Sequence, residues 1–329
     1  MHRPIAADER RDRSVLRRTR DANVPPPLAS QRSTKPDAAV EPTKLDPIFI
    51  IGTGRCGSTA FHDLLTLHPD VTWLSDWNNR FPDRPELNRT VLRCHSIPGA
   101  RRLLRHHWHP VEAYRFWDYY YPGFSMPFRD LTAEDALPAA TARLQAAAAA
   151  CVSPRRPHLL SKITGWPRLG FLNAVYPNAR FISVIRDGRA TAGSLLRVKF
   201  WAGWRGPEGW GWGPLSPAQN ERWKSYGQSF VALAALQWEI LMQAYERAKQ
   251  LIPPSRLLEI RYEQLCADPL GVTRHAAQFA ELEPSAGFER SVRGFRMANQ
   301  NHKWREGLTS TQQAQLSECI SECLQRWGY

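Results

Sequence analysis

The sequence predicts an α/β fold with three layers, a parallel sheet carrying helices on both faces. Three observations predict it: short apolar runs of strand length, amphipathic stretches of helical length between them, and a glycine-punctuated turn joining the first run to the first stretch. Ile48, Phe49, Ile50 and Ile51 form the first apolar run, and Gly52, Gly54 and Gly57 break it. Helical spacing then begins, with Ala60, Phe61, Leu64, Leu65 and Leu67 on one face and Pro69 closing it. The Ala-rich run 137–151 reads as a packing helix. Residues 158–163 are a strand, 168–175 a short helix ended by Pro177, and 180–185 a second buried strand. A helix follows from Gly188, and 228–250 form a long amphipathic one. Residues 256–262 are a further strand, and 309–327 are helical.

Composition bounds what this domain does. The chain has 329 residues, enough for a sizeable core, and its 43% hydrophobic content and 13 tryptophans fit a folded globule. Residues 1–45 are rich in Arg, Pro, Asp and Ser, which predicts a disordered basic tail ahead of a single domain at 46–329. No stretch reaches the roughly 18 apolar residues of a membrane span, and the charged start has no apolar core of a secretory signal. Six scattered cysteines show neither metal spacing nor disulfide density, so a reducing cytoplasm is the expected location. A net charge of +13 favours an anionic ligand, an acidic acceptor or nucleic acid, though no nucleic-acid-binding motif accompanies it.

Strand, glycine-rich loop and helix start together make an anion cradle, because unpaired backbone N–H groups and the helix dipole converge there. The spacing Gly52-x4-Gly57-Ser58-Thr59 is that of a phosphate-binding loop, but Ser58 stands where a nucleoside triphosphatase needs its lysine. The positive charge lies inside the loop instead, at Arg55. Such a cradle suits one 5′-phosphate group better than a magnesium triphosphate. A second motif follows the strand at 180–185: Arg186 ends it and Ser194 lies eight residues on, on the next helix. An arginine at a strand end and a serine on the following helix can close on one anion. Alone, Arg186 also fits an ion pair with Asp187. Beside the first loop, it implies a ligand with two separate anionic ends.

With these residues in hand, the sequence resembles the sulfotransferases that use 3′-phosphoadenosine 5′-phosphosulfate (PAPS). Arg55-Cys-Gly-Ser-Thr59 looks like their 5′-phosphosulfate loop, usually Arg/Lys-Ser-Gly-Thr-Thr, and Cys56 departs from the usual serine. Arg186 with Ser194 looks like their 3′-phosphate pair. The likeness extends through Leu258-Glu-Ile-Arg-Tyr-Glu-Gln-Leu265 to Lys303-Trp304, and its closest look is to the tyrosylprotein and bacterial branch. The resemblance implies a P-loop-like sulfotransferase fold, PAPS as donor, PAP as product and no metal requirement. It implies nucleotide contacts from Gly54, Arg55, Cys56, Gly57, Ser58, Thr59, Arg186, Ser194, Tyr262 and Lys303. It places Lys162 near the transferring sulfuryl group, and Asp76 where that branch carries its basic glutamate. His62 and the cluster His106, His107 and His109 are the other candidate bases. The acceptor is open: carbohydrate, tyrosine or phenol, or a small metabolite. Two other readings stay open on the residues alone, a P-loop kinase or NTPase and a basic nucleic-acid-binding protein. The glycine-spaced tryptophans of 200–214 fit either acceptor stacking or packing of the loop on the domain, with acceptor contact slightly favoured.

Overall fold

The computed structural model describes residues 45–95, 97, 109–125 and 128–329. The expected tail lies outside these, as do His106 and His107. Five strands, β1 (Ile48–Gly52), β2 (Val71–Trp73), β3 (His158–Thr164), β4 (Arg180–Ile185) and β5 (Leu257–Arg261), form one sheet in the order β2-β3-β1-β4-β5. Every neighbouring pair is parallel. Strands covered on both faces read as continuous apolar runs, which is why β1 and β4 were legible without any alternation of polar residues.

Successive side chains leave a strand on opposite faces, and that period of two divides the core. Phe49, Ile51, Ile163 and Phe181 pack into one apolar cluster with Trp117 and Trp238, the latter on the long helix Phe230–Lys249. Ile48, Ile50, Leu160, Ile182 and Ile260 pack into a second cluster with Phe61, Leu64 and Leu65 of the first helix, α1 (Ser58–Leu65). Lys162 shares its parity with Leu160, so β3 delivers it to the α1 side of the sheet.

The chain leaves β1 for β2 and β3 on one side, then crosses to β4 and β5 on the other. Ligands of open parallel sheets bind at the carboxyl ends of the strands where this reversal occurs. Here that point is the carboxyl end of β1, flanked by β3 and β4.

Two boundaries differ from expectation, and one strand was not anticipated. β2 has three residues, too few for any periodicity to register. Tyr262 is not the last residue of β5 but the first of the helix Tyr262–Ala267. The C-terminal helical stretch breaks at Ile320 into Ser310–Cys319 and Ser321–Arg326.

Candidate active site

The loop after β1 is held in a shape that glycine makes possible. Gly54 (φ 79°), Arg55 (φ 55°) and Gly57 (φ 91°) all take left-handed backbone conformations. A Cβ on Gly57 would stand 2.4 Å from the Tyr262 ring, so the loop rests on that tyrosine. α1 begins directly after Gly57, and its first N–H groups have no intrahelical partner. Cys56 corrects one expectation. Its side chain is fully buried in the α1-side core, and its sulfur lies where a Cβ on Gly52 would stand, 2.4 Å away. The thiol therefore packs the loop from beneath and does not face an anion.

Arg55 ties the two motifs together. Its Nε donates to Ser194 Oγ at 3.0 Å, and its carbonyl accepts from Arg186 at 2.8 Å. Asp187 is not the partner of Arg186. It caps the helix Gly188–Leu195, accepting from the Arg189 N–H at 2.8 Å, and pairs with the Arg189 side chain at 2.8 Å. Arg186 is instead stacked on Tyr262, 4.2 Å from the ring centroid, with Nε donating to Asn301 at 2.8 Å. Lys162 is buried, and its Nζ donates to Thr59 Oγ1 at 2.8 Å.

These residues surround one cleft of about 690 Å³. Among the described residues, Arg55, Arg186, Arg197, Arg296 and Lys303 line it against a single carboxylate, Asp63, so the cleft favours an anion. Burial pushes the Asp63 carboxyl up, with Lys162 and His109 pulling it back. Gly57, Ser58, Thr59, Ser194 and Tyr262 also line the cleft, whereas Gly54, Cys56, Lys162 and Asp76 are not in its wall. Arg197 and Arg296 were not singled out from the sequence. Arg197 follows Ser194 by one turn, and that spacing is a signal the sequence does hold.

Asp76 opens the short helix Asp76–Arg80, at the carboxyl end of β2. It is half-buried, and among the described residues nothing donates a hydrogen bond to it. Next to it runs a segment that sequence reading passed over. Val111 N–H donates to the Leu74 carbonyl at 3.0 Å, and Ser75 forms an antiparallel bridge with Pro110. This brings Glu112 beside β3: its Oε1 accepts from the Thr164 hydroxyl at 2.7 Å and lies 3.5 Å from Lys162 Nζ. Glu112 thus reaches Lys162 beside β3, and Asp76 stands at the carboxyl end of the edge strand β2.

His62 is removed as a base by its surroundings. It is 1% exposed, and neither ring nitrogen has a hydrogen-bond partner. Burial first, and Lys162 second, push its pKa down to about 3. The unfolded chain therefore takes up a proton near pH 6.5 that the folded chain refuses until about pH 3. Stability is unaffected above pH 6.5 and falls with pH between those limits, by up to about 1.4 kcal/mol per pH unit for this one group. Urea unfolding at pH 7, 5 and 4 should show that His62→Leu removes this part of the acid sensitivity; parallel curves for the two proteins would refute it.

The tryptophans of 200–214 mostly pack. Trp201 is buried and donates to Gln237 at 2.8 Å, Trp210 is buried and donates to the Gly213 carbonyl at 2.8 Å, and Trp212 lies against Trp166. Only Trp204 among them is exposed, so packing outweighs the acceptor contact slightly favoured from the sequence.

The fold is an open parallel sheet, and its site is a cationic cleft at the carboxyl end of the first strand. The comparisons narrow the class. A profile of the sulfotransferase family matches residues 47–286, and the chain belongs to that family. The fold is similar to that of the sulfotransferase STF9 from Mycobacterium avium, at 19% identity and TM-score 0.54, over 87% of this chain and 78% of that one. STF1 from Mycobacterium tuberculosis aligns at 18% identity and TM-score 0.47, over 85% and 77%. A mouse sulfotransferase in complex with PAP aligns at 11% identity and TM-score 0.42, over 86% and 89%. A search of curated sequences returns no match. No helix among the described residues is long and apolar enough to cross a membrane.

Proposed function

We propose that this chain transfers a sulfuryl group from PAPS to a hydroxyl of an acceptor. The observation that supports it most is the pairing of two anion-binding ends around one cleft: the Gly52–Thr59 loop and the Arg186–Ser194 pair, joined through Arg55. The residues fit the donor on its own terms. The loop turns on glycines with positive φ at 54 and 57, opens directly into the first turn of α1, and has one internal arginine and no lysine at position 58.

When bound, PAPS supplies an activated sulfuryl group and leaves as PAP. The loop amides, Ser58 and Thr59 hold the 5′ phosphate, and Arg186 with Ser194 holds the 3′ phosphate. Gly57 lets the backbone approach closely, and Tyr262 supports both the loop and Arg186. Lys303 adds positive charge at the cleft wall. Arg55 and Lys162 stabilise negative charge that develops as the group moves, and Asp76 takes the acceptor's proton. Most of the rate then comes from positioning and preorganised charge, as in phosphoryl transfer. Six free cysteines fit a reducing cytoplasm.

Thermal-shift titration separates this from an NTPase. PAP at about 100 times its Kd should stabilise the protein by about 2.7 kcal/mol, and Mg-ATP at the same concentration should do much less; the reverse order would favour the NTPase. Arg55→Ala should lower sulfate transfer from labelled PAPS by about 10², the scale of one lost preorganised donor. Full activity in that variant would remove Arg55 from the chemistry. Glycans, tyrosine peptides and phenols offered together in the same assay would identify the acceptor class.

A further inference from the structure

Behind Arg186 runs a chain of hydrogen bonds that the transfer reaction as described does not use. Arg186 Nε donates to Asn301 Oδ1 at 2.8 Å, and Asn301 Nδ2 donates to Glu263 Oε1 at 2.7 Å. The other oxygen of Glu263 accepts from the Tyr329 hydroxyl at 3.0 Å. Glu263 Oε1 also accepts from the Asp187 N–H at 3.3 Å, which fixes the turn that follows Arg186. The Tyr329 ring is held in turn by the Arg261 guanidinium, 5.0 Å from its centroid.

The order of groups in this chain is chemically forced. A guanidinium only donates and a carboxylate only accepts, so the amide between them has one possible orientation. The neutral amide also keeps the Glu263 charge one residue away from Arg186. A carboxylate in direct contact would offset the cation; a carboxylate behind an asparagine orients the guanidinium and leaves its charge available to the cleft. Arg186 Nη1 is committed to the Arg55 carbonyl at 2.8 Å, and the Tyr262 ring restrains the guanidinium at 4.2 Å. Among the described residues, Nη2 has no hydrogen-bond partner, and Arg186 lines the cleft.

We propose that Asn301, Glu263 and Tyr329 form a positioning relay that orients Arg186 and so sets the preference of the cleft for a nucleotide bearing a 3′ phosphate. The inference rests on the PAPS reading above. It assigns three positioning residues, none of which reaches the reacting atoms, and its effect is on discrimination between ligands.

The experiment is a pair of dissociation constants, for PAP and for adenosine 5′-monophosphate, measured by calorimetry on the wild-type chain and on Tyr329→Phe, Glu263→Gln and Asn301→Asp. The ratio of the two constants reads the 3′-phosphate preference alone. Asn301→Asp places a carboxylate directly on Arg186 and should cut the ratio about tenfold, the scale of a charge-assisted hydrogen bond. Tyr329→Phe removes one outer bond and should cut it about threefold. A merely structural role would weaken both ligands together and leave the ratio unchanged, which would overturn the relay. If Asn301→Asp does not fold, Tyr329→Phe, which changes no volume at the site, decides the matter. A wild-type chain that does not prefer PAP would overturn the PAPS reading itself, and this inference with it.

Discussion

Replacing Lys162 with methionine is expected to lower sulfate transfer by about 10²–10³ while leaving the affinity for PAP within about threefold. The asymmetry follows from where the side chain sits. Lys162 is 6% exposed, and its Nζ donates to Thr59 Oγ1 at 2.8 Å, at the first turn of α1. It is absent from the wall of the cleft that holds Arg186, Ser194 and Lys303. On the proposed mechanism a cation so placed would contribute little to holding a nucleotide and most where charge develops during transfer. PAP lacks the sulfuryl group, so its binding reports the cradle without the chemistry. Methionine keeps the apolar stem of Lys162 and removes only the charge. The partner left behind, Glu112, keeps its hydrogen bond from Thr164 at 2.7 Å and has a side chain 28% exposed, so the fold should survive. Full turnover in Lys162→Met, or a loss confined to PAP affinity, would contradict the assignment.

The parts of this molecule that were legible in the sequence are those whose strand, turn and helix start lie in one contiguous stretch. β1 and its loop can be read because apolar strand, glycines with positive φ and helix start lie within one short stretch, Ile48–Leu65. Arg186 and Ser194 can be read for the same reason, since strand end and helix are contiguous. What was hidden depends on distance along the chain. Glu112 reaches Lys162 only because residues 110 and 111 pair with Ser75 and Leu74, and β2, which leads into that pairing, is three residues long. Asn301 lies 115 residues beyond its partner Arg186, with no local pattern to mark it.

Two other differences have a common cause. Cys56 occupies a position that, by analogy of sequence, faces the anion, yet its thiol packs into the core. Side-chain direction inside a loop of left-handed residues is not readable from spacing. The tryptophans of 200–214 were ambiguous because glycine-rich loops carry no periodicity from which to tell a packed face from an open one. In both cases tertiary packing decided the outcome: Cys56 against Gly52, and Trp212 against Gly165 and Trp166.

The base assignment can be tested by comparing the two carboxylates at the β2 edge. Asp76→Asn is expected to lower turnover by about 10²–10⁴, the range for loss of a positioned general base. Glu112→Gln is expected to cost about tenfold at most. The reasoning is one of commitment. Glu112 Oε1 already accepts from Thr164 and faces Lys162 at 3.5 Å, so its charge serves to hold the buried lysine in place. Asp76 is half-buried at a helix start, with no donor on its carboxylate among the described residues, and a base must have a free lone pair for the acceptor hydroxyl. A glutamine at 112 still accepts from Thr164 through its carbonyl oxygen. Its effect should therefore appear as weakened Lys162 function. If Glu112→Gln loses more turnover than Asp76→Asn, the proton goes to Glu112, and Asp76 is only a helix-start residue complementing the dipole.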